Sequence, residues 1–332
     1  MRAFSTNPMP GATTYGRELF RRFTPSLVRP VSDAWSLELL STSLYAELAD
    51  ALASPVVEVS FSSSTLLDGV FRAARHADAP VVVALSALEP GAAGLREEVR
   101  AVLECASDCG FDRPLSLVVR ASPLTSVDDG ELERAAERVL AILDVGATAF
   151  AFRPMDVVQD RALRFTRAVR PLLEWGLGIE VELFGTRDDA LFMSELDEIG
   201  VPLAALRGAS VDDELCGARL VVDPLKDALP ADLSRTRVVL DGFLLRAARD
   251  VLSEAEGLTL FAAAADDTGR ALKDARPLFD ELPRRERDRL EALVYGNVSQ
   301  ALARTGASGA GDRLLDALAV ELYADGGPAE AT

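Results

Sequence analysis

Histidine is almost missing from this chain: 332 residues contain one, His76. Imidazole titrates near neutrality and is the commonest metal ligand, so a single copy excludes a histidine-rich metal site. Lysine is equally scarce, with Lys226 and Lys273 alone, which leaves arginine to carry the positive charge. Cys105, Cys109 and Cys216 are too few and too irregularly placed for a disulfide framework or a CxxC metal pair. Cys105 and Cys109, four apart on an expected helix, share a face and read as small buried side chains rather than a redox pair. Aromatic residues make up 6%. No run of about 18 apolar residues occurs, and the opening MRAFSTNPMPGATTYG has no apolar leader core. A soluble cytoplasmic protein is therefore expected, with no membrane association.

Acid is what the chain has in excess. The formal charge is −18 and the isoelectric point lies near 4.6. That balance excludes contact with nucleic-acid phosphates or an anionic membrane face. Hydrophobic residues amount to 49%, enough for one large core.

Eight short runs read as strands: PVVEVSF (55–61), PVVVALS (80–86), PLSLVVR (114–120), TAFAFRP (148–154), GIEVELF (178–184), PLAALRG (202–208), RVVLDGF (237–243) and LTLFAAA (258–264). Their starts are about 20 to 36 residues apart, the length of a strand, a helix and two loops. Largely unbroken apolar runs indicate strands buried on both faces, as in parallel sheets. Between them, stretches such as STLLDGVFRAARHA and GLREEVRAVLECASDCG place apolar residues three and four apart. Gly110, Gly146, Gly176 and Gly200 stand where such helices would stop. A ninth candidate, ARLVVDP (218–224), is expected outside the eight. The expected fold is α/β, a (β/α)8 TIM barrel over 53–303. An N-terminal extension with a lead-in helix precedes it in 1–52, and a C-terminal helix and tail follow in 304–332. An open doubly wound sheet is the alternative.

Two family resemblances emerge once the strands are lined up. RPMDVVQDRALRFTRAVRPLLEWGLGIEVEL resembles the fourth and fifth strands of the metal-dependent hydrolases of the amidohydrolase superfamily. The closing run GLTLFAAAADDTGRALKDARPLFDELPRRERDRLEALVYGNVSQAL resembles their last strand and a helix with a GNAxxL-type ending, here Gly296, Asn297 and Leu302. Glu58, Ser60 and Ser62 then stand at the places of an Asp-x-His-x-His metal motif. Serines are poor metal ligands, so the resemblance implies a barrel with an eroded metal site. The second resemblance is to the class II fructose/tagatose-bisphosphate aldolases, carried by VVEVSFSSSTLLDGVFRAARHADAPVVVALS and IEVELFG. There Arg120 and Ala121 stand in place of an Asp-His pair, Arg153 in place of a fourth-strand aspartate, and Asp241 in place of a zinc histidine. Either ancestry implies a barrel with a rebuilt mouth, and no metal or cofactor is expected.

The C-terminal ends of barrel strands form the active face. They gather Ser62, Arg120, Arg153, Glu182, Arg207 and Asp241. Guanidinium groups bind carboxylates or phosphates bidentately, so an anionic small molecule is the expected partner, held by Arg120, Arg153, Arg207 and Ser62. Glu182 and Asp241 are the candidates for proton transfer. The competing reading is a set of arginine–carboxylate pairs closing the mouth with no ligand, in a catalytically inactive barrel kept as a structural or regulatory subunit. A diverged aldolase-like lyase is a further alternative, and homo-oligomerisation is left open. His76, late on a helix at the opposite end of the barrel, reads as a solvated helix-end residue. Lys226 and Lys273 read as surface residues, and TGASGAGD (305–312) as a helix stop with Asp312 capping the next helix.

Carboxylates outnumber basic groups 53 to 35, so the native state repels itself at neutral pH. Added salt is expected to raise the melting temperature and to level off near 1 M, where the Debye length is about 3 Å. A thermal-denaturation series in sodium chloride checks this, and a flat or falling curve from low to moderate salt contradicts it.

Overall fold

The strands alternate more than their apolar content suggests: VVEVS, LSLVVR and GIEVEL each set small or charged residues between aliphatic ones. The structure, a computed structural model, describes residues 52–86, 92–120, 149–152, 178–183, 204–207, 219–222, 224, 236–265 and 267–314. Its strands are β1 (Val56–Ser60), β2 (Val81–Ser86), β3 (Leu115–Arg120), β4 (Ala149–Phe152), β5 (Gly178–Leu183), β6 (Ala204–Arg207), β7 (Arg219–Val222) and β8 (Thr236–Val239). All pairings are parallel, each strand beside the next, and β8 returns to pair with β1, so the order closes on itself. Helix α1 (Ser64–His76) joins β1 to β2, and α2 (Ala92–Asp108) joins β2 to β3. After β8 come α3 (Asp241–Arg249), α4 (Glu254–Ala263), α5 (Thr268–Asp274), α6 (Arg276–Asp280) and α7 (Arg284–Thr305).

Eight strands lie among the described residues, as many as expected, but two assignments are corrected. ARLVVDP supplies β7, inside the ring. LTLFAAA lies within α4 and is no strand. A capping box decides the latter: the Ser253 hydroxyl accepts from the Glu256 amide, while the Glu256 carboxylate accepts from the Ser253 amide. This reciprocal bond starts a helix, and an apolar run of that length suits either structure. The helix buries Gly257 and Leu260 only, leaving Leu258 and Phe261 exposed.

Aligned residues of parallel strands share a face, and the register sorts the chain accordingly. Val57, Val59, Val81, Val83, Leu85, Leu115, Leu117 and Val119 fall on one face, fully buried against the helices. There they meet Leu66, Val70 and Phe71 of α1 and Val102 and Ala106 of α2, in one continuous core. The Ser63 hydroxyl caps α1 by accepting from the Leu66 amide. Burying this outward face is what stabilises the ring, at about 25 cal/mol per Å² of apolar surface.

At the amino ends of β2 and β3 the C-terminal segment is latched down. Asp78, in the left-handed region at φ 54°, accepts at its carbonyl from the Gly311 amide and at its carboxylate from the Asp312 amide. Arg113 adds an ion pair to Asp78 at 2.7 Å. Gly306, at φ 72°, stops α7 as expected. Asp312, however, lies within the following helical turn rather than capping it. Expectations for residues 1–51 and 315–332, including the lead-in helix, fall outside the described residues.

Helix α7 lies against α1 and can approach closely because Gly69 has no side chain. A β-carbon there would stand 2.7 Å from Val294 Cγ1 and 2.9 Å from the Glu291 carbonyl oxygen. Overpacking of this kind costs about 1–3 kcal/mol, against about 1 kcal/mol gained from alanine's helix propensity. Gly69→Ala is therefore expected to lower the urea midpoint with an unchanged m-value, and a raised midpoint would show that α7 can move away freely.

Candidate functional site

The other face of the strands is charged. Glu58 aligns with Val82 and Val239, Ser86 with Arg120, and Val56 with Arg237, which puts Glu58, Ser60, Ser116, Arg120 and Arg237 on a common face. That face is the inner one, because Glu58 on β1 reaches Arg120 on β3, two strands away, and only the concave side allows this. Continuing round, Glu182 aligns with Ala205, Ala205 with Arg219, Arg207 with Val221 and Val221 with Arg237. Positions 180, 182, 207 and 219 therefore have the same parity as Glu58. Barrel interiors are usually filled by branched apolar residues, whereas here Glu58, Arg120 and Arg237 stand on that face among Val56, Val82, Val118 and Val239.

Glu58 anchors the arrangement. Its side chain has no exposure, and Arg237 Nη1 lies 3.0 Å from its Oε2, with Arg237 itself only 3% exposed. Arg120 donates to the other oxygen, Oε1. Arg120 ends β3 and keeps a quarter of its side chain exposed, so the pair runs from a deep guanidinium to one at the open end. Two buried hydroxyls, Ser62 and Ser116, have no hydrogen-bond partner among the described residues.

Asp241 opens α3, where a carboxylate suits the helix dipole. It accepts from the Ser60 amide at 2.8 Å and from the Ser60 hydroxyl at 2.7 Å, using one oxygen for each. Helix α5 covers the pair: Gly269 packs against Ser60 and Asp241, where a β-carbon would overlap both side chains. Asp267 caps α5 by accepting from the Arg270 amide. Arg276 of α6 stacks over Phe61, 5.6 Å from its ring centre.

Of the residues expected at the mouth, Ser62, Arg120 and Asp241 have described side chains and gather on the β1–β3–β8 side. Glu182 and Arg207 are placed by register alone, and Arg153 lies outside the described residues. Arg237 escaped sequence reasoning, as did the role of Glu58 as its partner. A charge between valines in VVEVS was the available signal for Glu58. His76 is exposed at the end of α1, edge-on to Tyr295 at 6.3 Å. Lys273, expected to be exposed, is instead half-buried and paired to Glu98 at 2.6 Å. No helix among the described residues is long and apolar enough to cross a membrane.

The zinc site implied by the aldolase resemblance does not fit these residues. Arg120, in place of an Asp-His pair, is a cation already bound to Glu58. Asp241, in place of a zinc histidine, gives both oxygens to Ser60.

Solved structures share the fold. The YdjI aldolase from Escherichia coli K12 matches with a TM-score of 0.57 at 13% identity, covering 82% of this chain and 99% of that one. A fructose-bisphosphate aldolase from Campylobacter jejuni matches with a TM-score of 0.54 at 13% identity, covering 81% and 96%. No protein-family model matches the sequence, and no curated protein does. At such identities the likeness is one of fold: mixed α/β with a parallel sheet, as in the aldolase TIM barrels. The aldolase resemblance is thus supported, while the amidohydrolase resemblance is not, and the segment that carried its last strand is helical.

Removing the Glu58 carboxylate takes an ion-pair partner from Arg237, which is only 3% exposed. Glu58→Leu is expected to cost about 3–5 kcal/mol, as when one partner of a buried ion pair is deleted. Chemical denaturation measures this, and a loss below about 1 kcal/mol, the scale of an exposed pair, would show that Glu58 does not hold the interior together.

Proposed function

We propose that this chain is a diverged aldolase-type (β/α)8 barrel over 53–303, flanked by an N-terminal extension in 1–52 and a C-terminal helix and tail in 304–332. It binds an anionic small molecule at its mouth and acts as a carbon–carbon lyase without the zinc of the aldolases it resembles. The observation that carries this reading is the charged inner face, in which fully buried Glu58 steadies Arg120 at the open end of β3. A lumen built only for stability gains little from buried ions, since apolar residues of similar volume serve as well or better.

In this reading Arg120 takes a carboxylate or phosphate oxygen of the ligand, and the Ser62 hydroxyl donates a second bond. Arg153 and Arg207 extend the anion-binding rim. Glu182 removes the proton from a β-hydroxyl group, the adjacent carbon–carbon bond breaks, and a carbonyl product leaves behind an enolate. Guanidinium groups stabilise that enolate before it is protonated. Asp241 takes a positioning role, because both its oxygens are engaged by Ser60.

A second reading, the catalytically inactive barrel, draws support from that same engagement and from the covering of Ser60 and Asp241 by α5. The two readings part over ligand response. With phosphate monoesters and small dicarboxylates, the parent protein is expected to gain several degrees in melting temperature and to cleave a phosphorylated or carboxylated β-hydroxy carbonyl compound. Arg120→Met removes both responses while costing less stability than loss of Glu58, since Arg237 stays with the carboxylate. Absence of any anion-induced shift in the parent, together with a melting-point drop in Arg120→Met as large as in Glu58→Leu, supports the inactive barrel instead. Stabilisation without turnover would keep anion binding and remove the lyase.

A further inference from the structure

Away from the barrel interior, the seam between α1 and α2 brings together residues that no barrel chemistry uses. Asp68 lies on α1. Cys105 lies in the last turn of α2, and Cys109 follows one turn later, so both thiols face the same neighbouring helix. Cys105 Sγ is 2.8 Å from Asp68 Oδ1, and Cys109 Sγ is 3.4 Å from that oxygen. The carboxylate oxygen and the two sulfurs all lie within 4.8 Å of one another. Backbone oxygens stand near as well: the Ser64 carbonyl is 3.7 Å from Cys105 Sγ, and the Asp68 carbonyl is 3.7 Å from Cys109 Sγ.

The seam is closed at one end and open at the other. Cys105 and Cys109 are 4% and 7% exposed, whereas Asp68 is half-buried and Arg72, one turn further along α1, is exposed. Arg72 is anchored at 2.7 Å to Glu291 of α7. The site thus lies nearest to solvent on the Asp68 side.

We propose that Asp68, Cys105 and Cys109 form a site for one thiophilic divalent cation, zinc in the first instance, which staples α1 to α2. Two thiolates and a carboxylate supply three of the four ligands of a tetrahedral site, and a water or the Ser64 carbonyl supplies the fourth. Bonds of about 2.3 Å to sulfur and 2.0 Å to oxygen place tetrahedral ligands roughly 3.5 Å apart. The two sulfur–oxygen separations, 2.8 and 3.4 Å, lie below that distance, and all three atoms lie within 4.8 Å of one another, so shifts of about an ångström bring them to it. Charge favours a cation. Two thiolates and one carboxylate sum to three negative charges, of which a divalent cation cancels two, while the positive charge of Arg72 is already shared with Glu291. Softness favours it too, because paired thiolates select zinc over magnesium or calcium. Binding displaces the thiol protons to solvent as the two metal–sulfur bonds form.

The bland alternative is a packing seam in which two thiols donate to one carboxylate. Elsewhere along the same helices buried positions such as Leu66, Val70, Val102 and Ala106 are apolar, and a carboxyl group against two weak donors is a poor substitute for such contacts. The proposal is independent of the barrel mouth, so neither reading depends on the other. It revises the expectation of no metal drawn from histidine scarcity, since this site needs none.

The test is titration of the full chain, stripped with chelator and kept reduced, with cobalt(II) and then zinc(II). One equivalent of cobalt is expected to raise a thiolate-to-metal absorption band in the near ultraviolet, which one equivalent of zinc abolishes. Elemental analysis should then find one zinc per chain, and the melting temperature should rise. Cys105→Ala and Cys109→Ala should each remove the band while far-ultraviolet circular dichroism is retained, and Cys216→Ala should leave it intact. Asp68→Asn, nearly isosteric and with both thiols in place, should weaken cobalt binding at least tenfold. A parent protein that develops no band, a band that survives either of the first two substitutions, or one lost in Cys216→Ala would overturn the proposal.

Discussion

A carboxylate cut off from water has to be held by cations, and Glu58 is held by two that come from opposite directions round the ring. Arg120 arrives from β3 and Arg237 from β8, so one side chain of β1 joins strands on both sides of it. The seam where the last strand meets the first is reinforced at successive levels: Arg237 to Glu58, the Leu240 amide to the Glu58 carbonyl, and Ser60 to Asp241. These contacts link residues about 180 apart in sequence, so they oppose the largest loop-closure entropy in the ring. The apolar outer face gives the fold its stability, and the polar seam gives the ring its closure.

That division of labour explains what the sequence could and could not disclose. Apolar runs marked β1 to β6, and in β1 to β3 the outward residues are all aliphatic. The choice between ARLVVDP and LTLFAAA failed because a run such as EGLTLFAA suits a strand or a helix equally. The Ser253–Glu256 capping pair, visible in the chain, was the discriminating signal. Among the candidate site residues, Arg120 was found as a strand-end arginine, but its partner Glu58 lies 62 residues away, and nothing local couples the two. Arg237 was overlooked because a single charge at a strand start looks like a boundary. Asp68 was likewise invisible beside the cysteines, since the contact crosses from one helix to another and spans 37 residues.

The same architecture makes the mouth uneven. On the β1–β8 side, α5 and α6 lie over Ser60, Asp241 and Phe61, held by the close approach of Gly269 and the stacking of Arg276. On the β3 side Arg120 keeps contact with solvent. In the proposed lyase reading, access therefore runs along the edge where the guanidinium is presented, and the carboxylates of the opposite edge fix geometry.

Closure between β1 and β8 also bears on the chain while it is being made. Synthesis delivers β1 early and β8 long afterwards, so β1 waits with one edge unpaired, and an open strand edge invites pairing with other chains. An inward-pointing charge in mid-strand is a recognised deterrent to such pairing, because a foreign strand would have to bury it uncompensated. Glu58 occupies that position, between Val57 and Val59. The carboxylate that ties the finished ring is thus also the kind of residue that discourages such pairing, and its two guanidinium partners reach it in turn, Arg120 from β3 and Arg237 from β8.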